Sequence, residues 1–169
     1  MVQDAPLSGV DLPVPLLIKM AKEIETVKCF KIECAQAASK LRKLVVEGGD
    51  AIEGPFDGEE GITLFADLEA GATGNMSSAM IPDLIKPVVL DYLAGKFDKS
   101  EDKYNNILPV INYENRQCGF RATKVIMKEG GVISSDFCRH PIPPLEEKTK
   151  AGLIKLVKKY DPIALSWGK

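Results

Sequence analysis

Through residues 1–77 the chain alternates short runs that read as strands with longer runs of helical periodicity, and this alternation constrains the fold more than any other feature. Residues 1–5 form an extended run stopped by Pro6. A loop over 7–13 then leads to Val14, Leu17, Ile18, Ala21 and Ile24, which share one helix face. Residues 27–33 form a second strand, and Ala37, Ala38, Leu41, Leu44 and Val45 recur at helical spacing until Gly48-Gly49, a natural helix stop. A third strand over 50–56, a short helix over 62–69 and a fourth strand over 71–77 complete a βαβαβαβ order. That order makes a parallel sheet with right-handed crossovers.

The second half changes character. Ile81, Leu84, Ile85, Val88, Val89 and Tyr92 mark an amphipathic helix ending near Gly95. Residues 100 to 117 carry Tyr104, Ile107, Leu108 and Ile111, with Pro109 inside predicting a kink. A helix over 119–128 is closed by Gly130-Gly131. The stretch from Arg139 through His140 to Pro144 must be extended, and a last helix packs Leu153, Ile154, Leu156, Val157 and Tyr160. The pattern predicts an α/β unit over residues 1–97 and a helical region over 98–169, with no internal repeat.

Lys31 stands out in the second strand. Side chains alternate across a strand, so Cys29, Lys31 and Glu33 share one face while Lys28, Phe30 and Ile32 share the other. The apolar pair can cover a helix, which leaves Lys31 facing away from it beside Glu33. Partial desolvation there would lower its pKa and free the amine for attack on a ketone, that is, for Schiff-base formation. The plain alternative is a strand-end lysine paired with Glu33 or another acid, and Glu33 itself could serve as a helix N-terminal charge. The segment from Gly54 to Gly61 could be an ordinary strand-to-helix turn in which Gly58 serves backbone angles only. Its acidic composition cannot cradle a phosphate. Arg139 and His140 read as structural, holding the extended connection, and Tyr104 and Tyr113 as parts of a packed helix face.

Composition narrows the partners. With 169 residues, 45% of them apolar, the chain can bury a sizeable core, yet it is short for an eight-stranded barrel of about 250 residues. A net charge of −2, with basic residues spread along the chain, argues against nucleic-acid and membrane partners. Cys29, Cys34, Cys118 and Cys138 form no CxxC pair, and the single His140 completes no usual zinc spacing, so small buried apolar roles are expected and no metal. Without a signal-like segment or a long apolar run, a reduced cytoplasmic protein is expected.

The order of these motifs resembles the dihydrodipicolinate synthase and N-acetylneuraminate lyase superfamily of class I aldolases and dehydratases, over nearly the whole chain. Phe30-Lys31-Ile32-Glu33 looks like the family's glycine-isoleucine-lysine-glutamate strand, whose lysine forms an imine with a 2-keto acid. Gly71-Ala72-Thr73-Gly74-Asn75-Met76-Ser77 is similar to the eighth barrel strand, where Gly74 lets the backbone approach the keto acid and Met76 falls at a backbone carbonyl that contacts it. The resemblance therefore implies strands five to eight of a (β/α)8 barrel followed by a C-terminal helical region, a 2-keto acid substrate and no cofactor.

Two departures matter. Gln3-Asp4-Ala5-Pro6 resembles a fifth strand ending in tyrosine-asparagine-x-proline, with Gln3 where the tyrosine would relay protons. Glutamine can only orient a substrate or a water. Asp4 or Glu33 would then supply the acid-base step, as suits a dehydratase acting on a 2-keto-3-deoxy sugar acid. Nothing corresponds to strands one to four or to the family's glycine-threonine-threonine-glycine-glutamate turn, which holds the acid's carboxylate. A four-stranded slice has two open edges. The expectation is a fragment or one half of a split barrel that is aggregation-prone, self-paired as a homo-oligomer or paired with a missing half. A Schiff-base lyase and an inactive or partner-binding remnant are the two functions in view.

Overall fold

The computed structural model describes residues 1–169. The chain divides into two compact units, one formed by residues 1–77 with 92–95 and the other by 78–91 with 96–169. Against a boundary at residue 97, most of the first long amphipathic helix goes with the helical unit.

In the first unit the strands are β1 (Val2–Asp4), β2 (Phe30–Ile32), β3 (Pro55–Asp57) and β4 (Gly74–Asn75), and the helices are α1 (Val14–Glu23), α2 (Ala37–Gly48) and α3 (Leu64–Glu69). The four strands are parallel and lie in sequence order, β1-β2-β3-β4. This is the arrangement that repeated right-handed crossovers produce. Phe30 and Ile32 pack with Leu17, Ile18 and Ala21 of α1 and Ala37, Leu41 and Leu44 of α2 in one buried cluster, so these helices cover one face of the sheet. Residues 92–95 join this unit through Tyr92, whose ring meets Phe65 edge-on at 5.6 Å.

The third strand is shorter and later than its sequence suggests. Gly49–Ala51 closes a turn of 3-10 helix, and Gly54 takes φ +50°, a left-handed conformation that interrupts an extended run. Only residues 55–57 enter the ladder.

The helical unit contains α4 (Pro82–Leu93, its last two residues excepted), α5 (Phe97–Tyr113), α6 (Arg121–Glu129) and α7 (Glu147–Val157). Helix α5 runs on through Pro109 to Tyr113 and ends in a π turn over Glu114–Cys118. Glu114, 2% exposed, accepts hydrogen bonds from Ser78 Oγ (2.5 Å) and Thr123 Oγ1 (3.4 Å), which offset the cost of burying it. The connection before α7 is held by Arg121, whose Nη1 donates to Pro143 O (3.0 Å), and by Lys124, whose Nζ donates to Phe137 O (2.6 Å). Arg139 and His140, expected to do this, are exposed instead. No helix is long and apolar enough to cross a membrane. Of the cysteines, Cys118 and Cys138 are buried while Cys29 and Cys34 are half-buried, and all four are free thiols.

Candidate active site

The strand register assembles the site. Gln3 pairs with Lys31, Lys31 with Phe56, and Phe56 with Gly74, so these four residues form one row across the sheet. Neighbouring residues Asp4, Ile32, Asp57 and Asn75 form the adjacent row. Ile32 lies in the helix-packed cluster, which assigns its row to the covered face and the Lys31 row to the opposite one.

On that opposite face the Lys31 ammonium lies 2.7 Å from Glu33 Oε2, and the Gln3 amide donates to the same oxygen at 2.7 Å. The Lys31 and Glu33 side chains are 17% and 24% exposed. One carboxylate oxygen thus holds the amine and the amide together, within reach of a solute yet largely out of water. Gly58 is fitted closely beside them: a Cβ there would stand 2.9 Å from Glu33 Cβ and from Ile32 O, and 3.0 Å from Lys31 Cε. Its backbone φ is not in the left-handed region, so what this glycine provides is space for the lysine rather than the backbone freedom expected of it. Gly74 is likewise packed, with Phe56 Cδ1 3.1 Å from where its Cβ would be.

Asp4 does not join the site. It is fully buried in the covered row, ion-paired with Lys40 Nζ at 2.6 Å and accepting from Leu12 N at 3.2 Å. The alternation that puts Gln3 beside Lys31 necessarily turns Asp4 the other way. Its role is to tie β1 to α2 through Lys40, which also reaches Asp11 at 2.8 Å. Met76 follows β4, half-buried, with its amide donating to Asp57 O at 2.8 Å.

Glu60 is the group that sequence patterning did not find. It sits in the β3–α3 loop, half-buried, with φ +51°, a conformation that a non-glycine residue rarely takes without cause. Burial first, and then the negative charge of Glu33, push its carboxyl above the ordinary glutamate range, while Lys31 pulls the other way. Glu60, Glu33 and Lys31 therefore act on one another. The only hint in the sequence was the run Asp57-Gly58-Glu59-Glu60-Gly61 directly after a strand.

A lysine paired with a carboxylate at the end of a parallel strand, faced by a second acid of raised pKa, is the equipment of imine chemistry on a carbonyl compound. Residues 1–160 match the model of the dihydrodipicolinate synthetase family, and the chain belongs to that family. It is 52% identical over 167 residues to an L-2-keto-3-deoxyarabonate dehydratase of Azospirillum brasilense, a match covering 99% of this chain and 54% of that enzyme. Among solved structures it resembles dihydrodipicolinate synthase of Rhodopseudomonas palustris, at 25% identity and TM-score 0.82, over 94% of this chain and 55% of that one. The synthase of Aquifex aeolicus shares the fold at TM-score 0.84 and 19% identity, over 95% and 55%. The chain spans about half the length of the relatives it matches.

Proposed function

We propose that this chain carries the imine-forming half of a lyase that dehydrates a 2-keto-3-deoxy sugar acid. The observation that carries the reading is the trio Gln3, Glu33 and Lys31, joined through one carboxylate oxygen at 2.7 Å and 2.7 Å. The match to a keto-deoxy-acid dehydratase supports it, and favours loss of water over aldol cleavage.

In this reading Glu33 takes a proton from Lys31, and the amine attacks the keto carbon. Glu33 returns that proton to the carbinolamine hydroxyl, which leaves as water, and the protonated imine draws electrons from the neighbouring carbon. Glu33 removes a proton from C3, and Glu60, whose carboxyl is raised by burial and by the charge of Glu33, delivers one to the departing C4 hydroxyl. The C3–H and C4–O bonds break, a C3–C4 double bond forms and a second water leaves; hydrolysis of the imine then consumes one water and frees Lys31, for a net loss of one. Gln3 has no proton to relay and orients Glu33 by its amide. Gly74 and the Met76 backbone would lie along the substrate.

The sheet leaves β1 and β4 each with one unpaired edge. In this reading those edges pair with further strands of a barrel, which would hold the acid's carboxylate. Incubation with a 2-keto-3-deoxy pentonate, followed by mass spectrometry of the small molecules, tests the activity. A product lighter by one water, lost in Lys31→Ala, is expected. Aldol fragments in its place would overturn the dehydratase assignment.

A further inference from the structure

Two buried acids remain outside this chemistry. Asp57 and Asp67 are both 0% exposed, and Asp57 belongs to the covered row, away from Lys31. The Asn75 amide donates to Asp57 Oδ2, and Glu59 N donates to Asp57 Oδ1 at 3.5 Å. Thr63 Oγ1 donates to Asp67 Oδ2 at 2.7 Å. The Asp67 carboxyl, close by, adds to burial in pushing the Asp57 acid up to about 8, and the buried Asp67 Oδ1 receives no hydrogen bond. Two ionised carboxylates offer only acceptors, so a bond between them requires a proton on one. A proton on Asp57 supplies the donor that Asp67 Oδ1 lacks.

The surroundings favour keeping that proton. From α3 comes Asp67 itself, and from β4 the uncharged Asn75. From β2 comes Ile32, with the half-buried Cys34 beyond it within the field of Asp67. The buried face of α2 offers Ala37, Leu41 and Leu44, while its Lys40 is engaged by Asp4 and Asp11. The adjoining loop adds the acidic Glu59 and Glu60.

The placement gives the pair a task. Asp57 stands immediately before Gly58, and Thr63, which donates to Asp67 in α3, immediately after Ile62. Between them runs the loop that packs Gly58 on Lys31 and carries Glu60. We infer that Asp57 and Asp67 share one proton and so clasp the two ends of this loop, acting as positioning residues for Glu60. The loop is tightest with the proton in place and opens more readily as the pH rises, because opening lets both acids ionise. The link to Glu60 rests on the proposed lyase reading, but the clasp itself is measurable without turnover.

Infrared difference spectra of Glu60→Gln at neutral pH, with and without the further change Asp57→Asn, report the proton directly. The expected result is a carboxylic-acid carbonyl band that the second change removes. Limited proteolysis of the loop reports the clasp, with cleavage of the unsubstituted chain compared with Asp57→Asn at each pH. Asparagine can donate to Asp67 while accepting from Asn75, so it imitates the protonated acid at every pH. Between about pH 5 and 8 the cleavage ratio should rise by up to tenfold per pH unit and then level off. A missing acid band overturns the shared proton, and a flat ratio overturns the clasp. Should Asp57→Asn not fold, the band in Glu60→Gln and its loss on titration still decide. Failure of the dehydratase assay leaves both readouts unaffected.

Discussion

At the scale of single residues, Lys31 is useful because of what its neighbours lack or hold. Gly58 leaves room for its Cε, and Gly58→Ala would force a Cβ to 2.9 Å from Ile32 O, a backbone atom that cannot swing aside. The expected cost is about 1 to 3 kcal/mol in urea unfolding, with weaker imine trapping at Lys31. The Asp4–Lys40 pair is a second sensitive point, since Lys40→Met leaves a fully buried carboxylate unpaired and should cost about 3 kcal/mol. Its measurement is again denaturant unfolding, and a change within error would contradict the structural role given to Asp4. Strand alternation made Gln3, Lys31 and Glu33 legible as one group, and the same rule excluded Asp4, which sequence reasoning overlooked by weighing its charge before its parity. Glu60 was not legible because its place depends on a left-handed backbone conformation that no periodicity announces.

At the scale of elements, the β3–α3 loop is where structure adds most to sequence. The helices α1 and α2 could be read from apolar spacing because their buried faces decide their registers, whereas β3 was displaced by local turn geometry at Gly49–Ala51 and Gly54. The π turn after α5 likewise follows from burying Glu114 against Ser78 and Thr123, a tertiary demand invisible in the chain. Glu60→Gln should lower the dehydration rate about 10²- to 10⁴-fold while trapping of the imine at Lys31 persists, which separates proton delivery from amine attack. Equal loss of both would assign Glu60 a structural role. In the helical unit, Gly130 lies so near the Ala164–Leu165 backbone that an added Cβ would come within 1.8 Å of Ala164 O. Gly130→Ala should therefore cost about 3 kcal/mol or more and loosen the C-terminal segment, as read by hydrogen exchange at residues 163–168.

For the whole molecule, the two units should respond to pH with opposite sign. Burial and Asp67 raise Asp57 to about 8 in the folded state, above its unfolded value, so its contribution is complete below about pH 4 and falls as pH rises to about 8, by up to about 1.4 kcal/mol per unit. In the helical unit the Lys128 and Lys150 ammonium groups hold Asp136 well below the usual carboxylate range. That stability is present above about pH 4 and is lost as acid protonates Asp136. Thermal melts with a probe in each unit would show the first unit gaining as pH falls from about 8 to 4, and the second losing only as pH falls below about 4. The open edges at β1 and β4 add that the 169-residue chain by itself should associate in size-exclusion chromatography. The central claim, that Lys31 forms an imine with a 2-keto acid, is tested most directly by borohydride reduction in the presence of pyruvate followed by peptide mass spectrometry. A reduced adduct on the peptide containing Lys31, absent from Lys31→Arg, is the predicted result. An unmodified Lys31, or labelling spread over the exposed lysines, would contradict it.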